Sequence, residues 1–174
     1  MRTIFFEDLG EVAYDKAWDY QESLLKANLD IKAAWYNSPE TTGADRLKTK
    51  NHLLFCAHPH VYTLGKSGHI ENLLVNDTRL KELNVSFFKT NRGGDITYHG
   101  PGQIVGYPIL DLEQYETDLG KYMRNLEEVI IRMLATYGIE SGRLQGSTGV
   151  WLDADVPGRA RNPLRRSIGP TRWR

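Results

Sequence analysis

Cysteine is nearly absent: one residue in 174, Cys56, cannot close an internal disulfide, which excludes a disulfide-stapled secreted scaffold. Long apolar runs are lacking too. The opening Met1-Arg2-Thr3-Ile4-Phe5-Phe6 meets Glu7 and Asp8 too early for a signal peptide, and nothing later approaches the roughly 18 apolar residues of a membrane span. The expected location is cytoplasmic, without membrane contact. Internal repeats and low-complexity linkers are missing as well. The formal net charge is zero, but Asp155 is the last acidic residue and Arg159, Arg161, Arg165, Arg166, Arg172 and Arg174 follow it. Up to residue 158 there are 16 basic against 22 acidic residues, a net charge of −6. An acidic body lacks the clustered Lys and Arg of a phosphate-backbone binder, so no nucleic-acid partner is expected.

What is present is the makeup of a globular protein, 40% apolar and 25% charged, of a length at which roughly 70% of the unfolded surface can be buried. Residues 12–29 place Tyr14, Ala17, Trp18, Leu24 and Leu25 at helical spacing, and residues 118–137 do so more strongly from Leu119 to Tyr137, with Gly138 as the stop. Between them lie short β-rich runs at His52–Ala57, Val61–Leu64, Val85–Lys89, Ile96–Tyr98 and Ile104–Leu110, with Gly149–Asp153 after the second helix. Helices at both ends of a strand cluster predict an α+β fold in which a mixed sheet is packed by helices.

Two constellations carry candidate chemistry. His52, Cys56, His58 and His60 lie even numbers of residues apart, which puts all four on one face of a continuous strand. Positions four apart on a strand are about 13 Å apart, too far to share one ion, so no metal is expected; Cys56 reads as core and His58-Pro59-His60 as a turn. The second is Asn91 to Gln103, which sets four glycines and a proline between strands. Gly93 and Gly94 let backbone N–H groups approach a carbonyl or carboxylate, Arg92 offers a fork of donors, and Thr97, Tyr98 and His99 add a hydroxyl, an aromatic wall and a proton-exchanging group. The segment is either a strand, Gly-rich turn and strand lining a pocket for acyl groups or a plain hairpin. It lacks the Lys-Ser/Thr ending of a phosphate-cradling P-loop.

The run from Arg92 through His99 to Tyr107 closely resembles the signature of the lipoyl(octanoyl) transferases of lipoate biosynthesis. His58 to Lys66 and Thr148 to Leu152 resemble the segments that flank it in that family. The resemblance covers roughly residues 3–161. It implies one domain over 1–161 with the biotin/lipoate protein ligase fold, followed by a basic irregular tail over 162–174. It also implies an acyltransferase that takes octanoyl from octanoyl-acyl carrier protein. The acceptor would be a lysine on lipoyl domains of 2-oxo acid dehydrogenase complexes or the glycine cleavage H protein, with no cofactor. The substrate-binding residues implied are Arg92, Gly93, Gly94, Asp95, Ile96, Thr97, Tyr98 and His99, with Ser167, Ile168 and Gly169 from a later Ser/Ala-Ile/Leu-Gly segment.

The departure comes at that later segment. The family carries a Lys there and, farther on, a Cys nucleophile. Laying Ser167-Ile168-Gly169 on the segment puts the lysine position at Leu164, and anchoring on Arg159 to Arg161 puts it at Asn162. No catalytic residue is therefore identified, and the chain is expected to be truncated or altered after about residue 161 and inactive in acyl transfer. Two other functions remain open at this point: a non-catalytic acyl- or lipoyl-binding relative, and an ATP-dependent lipoate or biotin protein ligase.

Overall fold

The computed structural model describes residues 3–37 and 48–153. Two mixed three-stranded sheets organise them. In the first, β1 (Ile4–Glu11) runs parallel to β2 (Asn51–Ala57), which pairs antiparallel with β6 (Val105–Ile109). In the second, β3 (Val61–Leu64) lies between a parallel β4 (Ser86–Lys89) and an antiparallel β5 (Ile96–His99). A parallel pair needs a crossover, usually helical. The helices α1 (Tyr14–Asn37) and α2 (Asp77–Glu82) occupy those two crossovers, and α3 (Leu119–Thr136) follows β6.

Local chemistry sets the element ends. Asp118 caps α3 by accepting from the Lys121 N–H at 3.0 Å. At its other end Gly138 adopts φ +70°, while the Ile139 N–H reaches Leu134 O and the Gly138 N–H reaches Ala135 O, a Schellman stop. Leu54, Cys56, Val61, Val105 and Val150 form the apolar core with Ala17 from α1. Polar side chains tie the helix to the first sheet. Asn28 on α1 both donates to Lys50 O at 2.7 Å and accepts the Lys50 N–H at 2.8 Å, serving as a strand partner at the entry to β2. Asp111, just past β6, accepts from Lys32 at 2.6 Å and from Thr49 at 2.7 Å.

The α+β class and five of the strands stand where the periodicity puts them, with three corrections. β1 is a strand the apolar pattern did not reveal: it is an edge strand, exposed at most positions, so it carries no clean inside/outside alternation. α1 runs to Asn37 rather than stopping near residue 29, because nothing from Asp30 onward breaks a helix before Pro39. The expected strand at Gly149–Asp153 is reduced to isolated bridge positions at Trp151, which pairs with Gly142, and Leu152, since Gly149 (φ +109°) and Asp153 (φ +53°) interrupt the extended run.

Candidate active site

The glycine segment is held against β3 by Arg92. Its Nη2 donates to Thr63 O at 2.6 Å and to Asp95 O at 2.9 Å, its Nε to Thr63 Oγ1 at 3.2 Å, and its Nη1 to Gly93 O at 3.0 Å. The guanidinium that the sequence offers as a ligand fork is therefore turned inward, bracing the loop. Opposite it the backbone of Gly65 packs directly on the backbone of Gly93 and Gly94: a Cβ at Gly65 would stand 2.8 Å from Gly93 O and closer still to Gly94 O. Asp95 completes the clamp by accepting from the His69 N–H and from the Asn72 amide. Gly94 turns through φ +81°, and the N–H groups of Gly93 and Gly94 donate to no atom among the described residues. Two adjacent N–H groups without a partner among the described residues, beside a left-handed glycine, are free to donate to an oxygen.

β5 presents two unlike faces. Its register with β3 pairs Tyr98 with Tyr62 and Ile96 with Leu64 on one side, Thr97 with Thr63 and His99 with Val61 on the other. The first side, with Thr97 at its margin, lines a groove of about 410 Å³ together with Tyr62. Tyr98 stacks on His60 and shares a hydrogen bond with its Nδ1. On the second side His99 is buried, lies parallel to the Tyr14 ring at 6.4 Å, and meets His58 edge-on at 6.0 Å. Phe88 from β4 closes that cluster against Tyr14. Two larger grooves, of about 470 and 450 Å³, lie along α3 and the 143–148 segment, and none of the three grooves is lined by Arg92, Gly94 or His99.

Cys56, His58 and Tyr107 form a buried polar group behind His99. β2 ends at Ala57, so these four residues do not share a strand face: His58 turns into the core while His60 lies exposed beside Tyr98. His58 is 0% exposed; its Nδ1–H donates to Val12 O at 2.7 Å, leaving Nε2 to accept from the Tyr107 hydroxyl at 2.8 Å. Burial holds the His58 imidazole below its ordinary range and pushes the Tyr107 phenol up. Cys56 Sγ sits 3.5 Å from His58 Nε2, and burial, with Asp8 adding to it, pushes the thiol up to about 11. This thiol is 3% exposed and protonated at neutral pH, an inert core group rather than a nucleophile.

Of the residues the sequence nominates, Arg92 to His99 lie on β5 and the loop before it, but only Ile96, Thr97 and Tyr98 line the groove; Arg92 is turned onto the backbone and His99 onto the opposite face. Ser167, Ile168 and Gly169 lie outside the described residues. The sequence reading missed Tyr14 and Phe88, whose apolar positions carry no chemical signal. It also missed Glu127, a fully buried carboxylate on α3 that accepts from the Gly149 N–H at 2.8 Å and is paired with Arg124 at 2.7 Å. Glu127 thereby anchors the Thr148–Leu152 segment.

Residues 13–161 match the family described as the lipoyl protein ligase A/B catalytic domain. An octanoyltransferase of Cytophaga hutchinsonii is 46% identical over 172 residues, covering 99% of this chain and 69% of its own length. One from Flavobacterium johnsoniae is 52% identical, covering 99% of this chain and 72% of its own. The chain belongs to the octanoyltransferase family. Among solved structures, a bipartite lipoate protein ligase of Thermoplasma acidophilum aligns with a TM-score of 0.54 at 18% identity, over 89% of this chain and 53% of its own. LipL1 of P. falciparum, solved with lipoate, aligns with a TM-score of 0.57 at 15% identity, over 87% and 41%. These two share the fold. The chain of this octanoyltransferase-family protein spans about half the length of those solved chains, and no helix among its described residues is long and apolar enough to cross a membrane.

Proposed function

We propose that the protein serves octanoyl transfer from octanoyl-acyl carrier protein to a lysine of a lipoyl domain, such as those of 2-oxo acid dehydrogenase complexes or the glycine cleavage H protein, in the cytoplasm, and that this polypeptide by itself binds the acyl thioester without completing the transfer. The described residues supply recognition of the acyl thioester, not the attacking thiol. The observation that carries this reading is the Gly93–Gly94 turn, braced by Arg92, whose two glycine N–H groups have no partner among the described residues. An acyl thioester offers one carbonyl to polarise and an alkyl chain to bury. Backbone donors fixed before the substrate arrives polarise the carbonyl without reorganising, and the groove of Tyr62, Ile96 and Tyr98 beside them offers an apolar wall to the chain. Cys56 is excluded from the covalent step by its burial and raised pKa.

The test uses the 174-residue polypeptide. Octanoyl-pantetheine is titrated by calorimetry with and without magnesium-ATP, and octanoyl-acyl carrier protein is then incubated with the protein and an unmodified lipoyl domain, followed by intact mass. The expected result is saturable thioester binding, indifferent to ATP, with no acyl adduct on Cys56. ATP-dependent modification of the lipoyl domain would make the protein a ligase instead, absence of any thioester binding would remove the acyl site, and transfer abolished by Cys56→Ser would make Cys56 the nucleophile.

A further inference from the structure

The segment after β5 reads Gly100-Pro101-Gly102-Gln103, and it folds as a tight turn. The Gln103 N–H donates to Gly100 O at 3.1 Å, and Gly102 adopts φ +81°. Proline second and a left-handed glycine third are what a type II turn requires. The turn brings Gln103 back to the end of β5, so that Gln103 Oε1 stands 2.8 Å from His99 Nδ1. An amide oxygen can only accept. The proton is therefore on Nδ1, and Nε2 carries a lone pair with no hydrogen-bond partner among the described residues.

We infer that Gln103 is a positioning residue that locks His99 in the Nδ1–H form and leaves Nε2 as an acceptor on the Tyr14 face of β5, opposite the Tyr62–Tyr98 groove. This rests on the octanoyl-thioester reading of the site. It assigns His99 a role opposite to that of an oxyanion donor: an unprotonated Nε2 cannot hydrogen-bond a thioester carbonyl, because both are acceptors. The carbonyl is left to the N–H groups of Gly93 and Gly94, while His99 Nε2 can only take a hydrogen from an N–H or S–H group that reaches the Tyr14 face, such as the amide of a pantetheine arm or an incoming amine. The surroundings keep the ring neutral. Burial acts most strongly; the Gln103 hydrogen bond opposes it, and His58 and Arg92 reinforce it. Among the described residues Tyr14 also packs on the ring: it lies parallel to His99, and burial pushes its phenol up, so that it stays uncharged.

The experiment is long-range nitrogen–proton NMR on the histidine-labelled 174-residue protein, with the His99 signals assigned by their loss in His99→Ala and folding of each variant checked by thermal melting. The wild type is expected to show His99 as the Nδ1–H tautomer, titrating below the ordinary histidine range. Gln103→Leu should shift it towards a mixture of tautomers, and Gln103→Glu should raise its titration midpoint by about 1 pH unit through the added negative charge. An Nε2–H tautomer in the wild type, or an unchanged tautomer in folded Gln103→Leu, would overturn the inference. Octanoyl-pantetheine binding by the same samples separates the two claims. Loss of binding at every pH in the wild type refutes the thioester reading alone, whereas the tautomer decides the Gln103 role by itself.

Discussion

At the scale of single residues, direction matters more than identity. Arg92 was legible from the sequence as a donor beside two glycines, but its aim was not, because a side chain with five N–H groups can face a ligand or its own backbone. The carbonyls of Thr63, Gly93 and Asp95 settle it. Arg92→Lys is therefore expected to cost about 1–3 kcal/mol of stability, since an ammonium cannot reach all three carbonyls and leaves part-buried acceptors unpaired; chemical denaturation measures it. Cys56 gives a second test. A folded-state pKa of about 11 against an ordinary 9.0 means that the unfolded chain releases the proton first, so this thiol stabilises nothing and costs stability as pH rises above about 9. Alkylation of the native protein at pH 8 should be slow and become fast only on unfolding. Fast alkylation at native pH would show an exposed thiolate.

At the scale of elements, the account turns on close approach. Gly65 has room for no side chain because the 93–94 backbone occupies the place of its Cβ. Gly65→Ala should push the glycine turn off β3, costing about 1–3 kcal/mol and weakening thioester binding together with stability. A melt unchanged from the wild type would contradict the packing. Glu127 performs a similar task from α3, and Glu127→Ala leaves the buried Gly149 N–H without its acceptor and Arg124 without its partner. The Gly149 amide is expected to exchange with solvent markedly faster in that variant. Elements with strong periodicity were readable in advance, α3 to within a residue at its start and its glycine stop among them. β1 was not, since an edge strand exposed on both faces has no pattern to read, and neither was the Gln103 contact, although the Gly-Pro-Gly turn that creates it is written in the sequence.

At the scale of the whole molecule, two buried neutral histidines, His58 and His99, set the response to acid. Both have folded-state pKa values below the ordinary 6.5, so between that value and lower pH the unfolded chain binds protons the folded one refuses. Stability should therefore fall as pH drops below about 6.5. Asp111 adds to the loss at lower pH: burial raises its pKa, but hydrogen bonds from Lys32 and Thr49 outweigh it and hold the carboxyl below 3.8, so its contribution disappears as that group is protonated. Melting temperatures measured from pH 8 to pH 4 in His58→Ala and wild type should show a shallower decline in the variant near pH 6. The central claim is that the glycine turn and β5 recognise an octanoyl thioester. Its most direct test is the amide spectrum of the nitrogen-labelled protein titrated with octanoyl-pantetheine. The account predicts saturable shifts at Gly93, Gly94 and Ile96 to His99; shifts confined to the 143–148 groove beside Arg124, with the glycine turn unmoved, would contradict it.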